Sequence, residues 1–180
     1  MEGMNNIAVR KATSTDAELV HWICRKSYAE NFAGHWHESG LDWYFNKVYS
    51  HEGIRKELDG EKISYFVVFA GEEPIGFIKL NLESGLPGVP AEESVEIEKI
   101  YFLPAHQGQG IGKRLISMAA ELAASLKKKW LWLGVLTSNE KALAFYQKSG
   151  FTIHDRVTLE FPLLKEQHRP MWRMTKRIDG

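Results

Sequence analysis

Residues 95–115 read VEIEKIYFLPAHQGQGIGKRL, and this stretch decides the fold. It opens as a strand. Val95, Ile97, Lys99 and Tyr101 alternate with Glu96, Glu98, Ile100 and Phe102, so the two sets are expected on opposite faces. Pro104 stops the strand. Glycines at 108, 110 and 112 follow, then a helix over 110–126 with a stripe of Ile111, Leu115, Met118, Leu122 and Leu126. A strand, a glycine-rich turn and a helix in that order build a seat for an anion. Glycine lets backbone approach a bulky group, and the first turn of the helix points unpaired N–H groups at it. Lys113 and Arg114 add positive charge nearby. A P-loop is excluded, because Gln107 stands where its first glycine belongs and Arg114 where its hydroxyl belongs. The dinucleotide fingerprint fails on the glycine spacing. What is left is an anion cradle that needs no metal.

Working outward, residues 7–11 alternate as a first strand, and Thr15 to Glu18 reads as a capping box. A helix with Leu19, Trp22 and Ile23 on its apolar face follows. A second helix is expected over 38–49, and a third runs from Ser50 to Gly60. Residues 63–70 and 75–82 form a hairpin about the turn 71–74. The proline- and glycine-bearing stretch 83–94 reads as a loop of variable conformation. Beyond the glycine turn come a buried strand (130–136), a helix (139–149, closed by Gly150) and two strands (151–158 and 171–178). The order β-α-α-α-β-β-β-α-β-α-β-β implies an α/β fold with a mixed sheet flanked by helices. No segment is free to make a second domain, so residues 1–180 are expected to be one domain with a core over about 7–178.

Lys plus Arg and Asp plus Glu each number 23, which gives no electrostatic case for nucleic acid. The cluster Lys127-Lys128-Lys129 reads as a solvated helix end. No apolar run is long enough to cross a membrane, and MEGMNNIAVRKATSTDAE carries no signal-peptide core. A single cysteine, Cys24, excludes an intrachain disulfide and suits a reducing, cytoplasmic setting. It reads as a small buried hydrophobe, not a nucleophile. His35 and His37 lack a third ligand, so no metal is expected.

Residues 95–115 resemble the acyl-CoA-binding motif of the GNAT superfamily of N-acetyltransferases, with Gln107-Gly108-Gln109-Gly110-Ile111-Gly112 matching its Q/R-x-x-G-x-G/A signature. A second segment of that family is similar to NEKALAFYQKSGF at 139–151. Within the superfamily the chain looks most like PaiA-type polyamine N-acetyltransferases. The resemblance implies a GNAT-like fold with a mostly antiparallel sheet, and acetyl-CoA as acyl donor. It implies that backbone at Ile100, Tyr101 and Phe102 meets the pantetheine arm and acetyl carbonyl. N–H groups from Gln107 to Gly112, with Lys113, would meet the pyrophosphate. Asn139 caps its helix or bonds the arm. Tyr146 lies two helical turns on and matches the tyrosine that protonates the departing thiolate.

An amine must lose a proton before it attacks. Glu98 is the leading base, through a water as in the family, and Glu96 shares its side of the strand. Tyr28, Phe32 and Trp36 offer aromatic walls and Glu30, Glu38 and Asp42 offer carboxylates, a mixture that suits a polyamine or a peptide N-terminus. The expected activity is acetyl transfer to a small amine such as spermidine or spermine. A protein N-terminus, a lysine, an aminoglycoside or a non-catalytic CoA-binding module are the alternatives. The oligomeric state stays open, a homodimer included.

Overall fold

The computed structural model describes residues 7–178. Residues 1–6, part of the stretch read for a leader, lie outside them. The elements are β1 (Ile7–Lys11), α1 (Ala17–Phe32), α2 (Gly40–Val48), α3 (His51–Asp59), β2 (Ile63–Ala70), β3 (Glu73–Asn81), β4 (Ser94–Phe102), α4 (Ile111–Ser125), β5 (Trp130–Leu136), α5 (Glu140–Lys148), β6 (Thr152–Thr158) and β7 (Pro170–Arg177). The strands make one sheet in the order β1-β2-β3-β4-β5-β7-β6. Neighbours are antiparallel except β4 and β5, which run parallel because α4 carries the chain back between them.

Helices α4 and α5 cover one face of the sheet around Val95, Ile97, Leu115, Ile116 and Leu131. Helices α1, α2 and α3 cover the other around Ile23, Tyr28, Tyr49, Tyr65 and Phe77. The helix faces differ in detail from the expected stripes. On α4 the buried line is Ile111, Leu115, Ala119 and Ala123, and Leu126 is exposed. Alanines there let the helix lie close on the sheet. On α1 the buried line is Val20, Ile23, Cys24, Ser27 and Tyr28. Trp22 is 44% exposed and lies under the Lys26 ammonium instead of in the core. The capping interaction sits two residues upstream of its expected place: the Asp16 carboxylate accepts from the Thr13 N–H at 2.8 Å and also pairs with Arg10.

The stretch 83–94, expected as a loop, is tied to β5. Leu86 and Val89 pack on Trp132, and the Ser84 carbonyl accepts from Trp132 Nε1 at 2.6 Å and Ser94 Oγ at 2.7 Å.

Two irregularities of β4 shape the site. First, Lys79 of β3 pairs with Lys99 while Leu80 pairs with Ile97, so Glu98 is an extra, bulged residue. The bulge reverses the alternation expected for 95–103. Ile100 and Phe102 join Val95 and Ile97 on the α4 side, whereas Tyr101 packs on the α1 side. Second, β4 and β5 pair only from Ser94↔Trp130 to Ile97↔Leu133. Beyond those residues the two strands part.

Candidate active site

A cavity of about 1200 Å³ fills the gap between the parted strands and continues onto the α1 side of the sheet. Residues Glu98 to Phe102 of β4 and Gly134 to Leu136 of β5 line it. Their facing edges are without ladder partners in each other, so they can hydrogen-bond an extended, amide-bearing chain laid between them.

The glycine turn closes one end. Gly108 and Gly110 hold φ of +77° and +78°, a region that side chains avoid, and open space lies where a Cβ would stand on either. Helix α4 begins directly after, at Ile111. Beside the turn, His106 Nδ1 is buried without a hydrogen-bond partner among the described residues, and the His106 side chain borders the cavity. Open positions, bare helix amides and an orphaned polar atom fit a diphosphate at the end of that chain. Gln107, Gly108, Gly110, Ile111, Gly112 and Lys113 line the cavity, while the Gln109 side chain turns back onto the Ala105 carbonyl at 3.4 Å. Arg114, expected near the anion, instead donates to the Ile7 carbonyl of β1 at 2.9 Å.

Asn31 of α1 is a site residue that sequence reasoning missed. Its Nδ2 donates to the carbonyls of Phe102 (2.8 Å) and Ser27 (2.7 Å), and its Oδ1 accepts from Gln107 Nε2 at 2.7 Å. It ties α1 to the end of β4 and to the turn.

On the far wall, Asn139 lines the cavity, and its Oδ1 caps α5 by accepting from the Ala142 N–H at 3.1 Å. Tyr146 is 9% exposed and packs against Phe145 and Phe151. Its hydroxyl makes no hydrogen bond among the described residues, and burial pushes it up to about 12. Tyr146 therefore keeps its proton across the physiological range. Cys24 lies on the buried face of α1, where burial raises its thiol well above the ordinary range. It does not line the cavity.

The floor on the α1 side carries two carboxylates in different surroundings. Glu98 accepts from Lys79 Nζ at 3.1 Å and from Lys99 Nζ at 3.4 Å. Burial alone would raise it, but the ammonium groups of Lys99 and Lys79 outweigh burial and hold it below the usual carboxylate range. Glu96 makes no ion pair among the described residues, and Lys99 and Lys79 act on it only from a distance. It accepts from Ser84 Oγ at 2.8 Å; burial raises its carboxyl, and the Glu98 charge adds to that. Burial works against the Lys99 ammonium, yet the oxygens of Tyr44, Tyr101, Glu98 and Glu96 outweigh it and hold that proton above the ordinary lysine range.

Tyr28 and Phe32 line the cavity, joined by Tyr44 and Phe161. Trp36 does not. It is 5% exposed in the α1-side core, and its Nε1 donates to the Tyr28 hydroxyl at 3.2 Å, so it reaches the site only through Tyr28. Glu30, Glu38 and Asp42 face solvent, and Glu30 pairs with Lys26 at 2.8 Å. His35 and His168 stack at 3.6 Å on the cavity wall; burial lowers both, His35 to about 4. Among the described residues no group of three metal-ligating side chains converges, and no helix is long and apolar enough to cross a membrane.

Comparison with known proteins agrees with this geometry. Residues 19–151 match the model of the acetyltransferase (GNAT) family. Spermidine N(1)-acetyltransferase of Thermoplasma acidophilum is 26% identical over 168 residues, covering 89% of this chain and 98% of the relative. The PaiA N-acetyltransferase of the same organism, solved with coenzyme A, superposes with a TM-score of 0.75 over 96% of this chain and 99% of that one, at 24% identity. Spermidine N-acetyltransferase of Vibrio cholerae, solved with CoA and spermine, gives a TM-score of 0.68 over 96% and 95% of the two chains, at 21% identity. With the family model spanning both the glycine turn and Tyr146, the chain belongs to the acetyltransferase (GNAT) family and is an N-acetyltransferase that takes its acetyl group from acetyl-CoA.

Proposed function

We propose that the chain moves the acetyl group of acetyl-CoA directly onto a primary amine, with small polyamines such as spermidine or spermine as the acceptor class. One observation carries this reading: the unengaged Tyr146 hydroxyl and the Glu96–Glu98 pair border the same cavity as the glycine turn and the parted strand edges. The names of the Thermoplasma and Vibrio proteins support the polyamine class, and so do the aromatic walls of Tyr28, Phe32, Tyr44 and Phe161, which suit methylenes and ammonium groups. All seven strands share one sheet, which supports reading the chain as a single catalytic domain.

When bound, acetyl-CoA supplies an activated carbonyl and a thiolate leaving group. The open edge at Ile100, Tyr101 and Phe102 holds the arm and orients the carbonyl, and the amides from Gln107 to Gly112 with Lys113 hold the diphosphate. Asn139 Nδ2 adds a donor from the opposite wall. Glu98, expected from sequence as the base, is tied to two lysines, which favours a role as the fixed anion that docks the acceptor ammonium. Glu96, raised by burial and outside any ion pair, is the better proton acceptor. Two carboxylates driven apart by their surroundings divide the work in this way. Tyr146 Oη gives a proton to the departing sulfur.

The test is acetyl-CoA turnover against spermidine, spermine, diamines, amino acids, aminoglycosides and short peptides. Preferred turnover of spermidine or spermine is expected. Preference for peptides would replace the acceptor class, and tight coenzyme binding without turnover of any amine would overturn the catalytic reading.

A further inference from the structure

Behind the acceptor floor lies a row of alternating charge centred on a buried lysine. Lys79 of β3 is 3% exposed, and its Nζ stands 2.8 Å from Glu57 Oε1 and 3.0 Å from Glu98 Oε2. Glu57 comes from α3, where it also accepts from the Tyr65 hydroxyl. Lys99 closes the row on the other side of Glu98. Glu98 is the bulged residue, with no cross-strand partner in β3. The register of the sheet therefore does not fix its side chain; ion pairs to Lys79 at 3.0 Å and to Lys99 at 3.4 Å do, the shorter of them reaching across from β3. Taking an ammonium out of water is costly, and a methionine of similar length would fill the same space more cheaply. A lysine here earns its place through what its charge does to Glu98.

We propose that Lys79 is a positioning residue for acetyl transfer: backed by Glu57 from α3, it holds the bulged Glu98 carboxylate at the acceptor pocket, where that carboxylate docks the incoming ammonium. The docking step rests on the amine-acceptor reading above; the clamp itself does not. The charged and titratable groups around Glu98 are Lys79 from β3, Glu96, Lys99 and Tyr101 from β4, Tyr65 from β2 and Cys24 from α1, with Glu57 of α3 beyond Lys79.

The experiment joins carboxyl NMR titration of the glutamate-labelled full chain to steady-state kinetics with spermidine. The Glu98 signal is assigned by its loss in Glu98→Gln. Lys79→Met should raise the Glu98 midpoint by about one pH unit or more. It should also raise the spermidine KM by about tenfold or more while the acetyl-CoA KM stays within about twofold. Glu57→Gln leaves the Lys79 charge undivided, so the Glu98 midpoint should stay at or below that of the unaltered chain. A shift under about 0.3 units in Lys79→Met would overturn the clamp. A rise in Glu57→Gln as large as that in Lys79→Met would also overturn it, since it would mark lost packing of α3. Should Lys79→Met not fold, Lys79→Arg must keep the low midpoint, and a raised one overturns the proposal. The NMR arm decides the clamp whatever amine is turned over. An unchanged spermidine KM beside the expected NMR shift would remove the docking role.

Discussion

Replacing Tyr146 by Phe removes one oxygen from a residue whose surroundings make the result readable. The hydroxyl makes no hydrogen bond among the described residues, and the ring contacts with Phe145 and Phe151 survive the change. Stability should therefore move by no more than about 0.5 kcal/mol. Burial holds the phenol at about 12, so only about one molecule in ten thousand is ionised at pH 8, and the acid is in place throughout the working range. A positioned general acid is worth about 10²–10⁴ in rate, or roughly 2.7–5.4 kcal/mol of barrier. Single-turnover acetylation should slow by about a hundredfold or more, with the acetyl-CoA KM within about threefold of the unaltered chain. Measuring a single turnover matters, because slow product release would hide a chemical defect in kcat. A rate within about threefold, in a variant of unchanged melting temperature, would refute the acid role.

The remaining predictions probe the turn, the base and the sheet. Gly110→Val should raise the acetyl-CoA KM by about tenfold or more, since a branched side chain would enter the open cradle. Its backbone strain of about 1–2 kcal/mol should be matched by Gly71→Val, at φ +62° in the β2–β3 turn, which should leave the coenzyme KM alone; calorimetry and initial rates separate the two effects. Glu96→Gln should flatten the acidic limb of the pH profile for the acceptor. A carboxyl raised by folding favours the native state only below its unfolded value, and that advantage is lost as pH rises through the folded one. The same variant should therefore melt higher than the unaltered chain at neutral pH, with the gap closing toward pH 4, as thermal melts across that range would report. Gly76→Ala would place a Cβ 2.5 Å from Phe102 Cδ1 and 2.6 Å from the Tyr101 carbonyl, so it should cost about 1–3 kcal/mol and weaken acetyl-CoA binding by displacing the edge of β4.

Local chemistry made the glycine turn and the element boundaries legible. Pro104 and the three glycines punctuate backbone wherever they stand, and the periods of 3.6 and 2 mark which segments are helix and which are strand. What escaped depends on partners distant in sequence. Nothing in VEIEKIYF marks Glu98 as bulged, because the extra residue is defined only against β3. Strict alternation therefore put Ile100 and Phe102 beside the carboxylates, when the bulge puts Lys99 and Tyr101 there. Asn31 reaches Gln107 across 76 positions, and Lys79 reaches Glu57 across 22; neither spacing has a period that could have exposed it. Trp36 failed as a wall for a related reason: its indole N–H finds the Tyr28 hydroxyl, and that bond draws the ring into the core.

The cradle and the arm groove coincide for a topological reason that precedes any side chain. In a sheet otherwise built of antiparallel neighbours, the single parallel pair β4–β5 demands a crossover, and α4 supplies it. A crossover helix must start near the carboxyl end of the strand it leaves, so the bare amides of α4 face the end at which β4 finishes. Helix α5 leaves β5 at its carboxyl end in the same way, through the Asn139 cap. The two strands part at that same end: their ladder stops at Ile97 and Leu133, directly before the bulge at Glu98. A groove with open edges, two helix N-termini and a glycine turn thus converge because the chain makes one parallel step. Tyr146, on the second turn of α5, borders that same groove through its place in the helix.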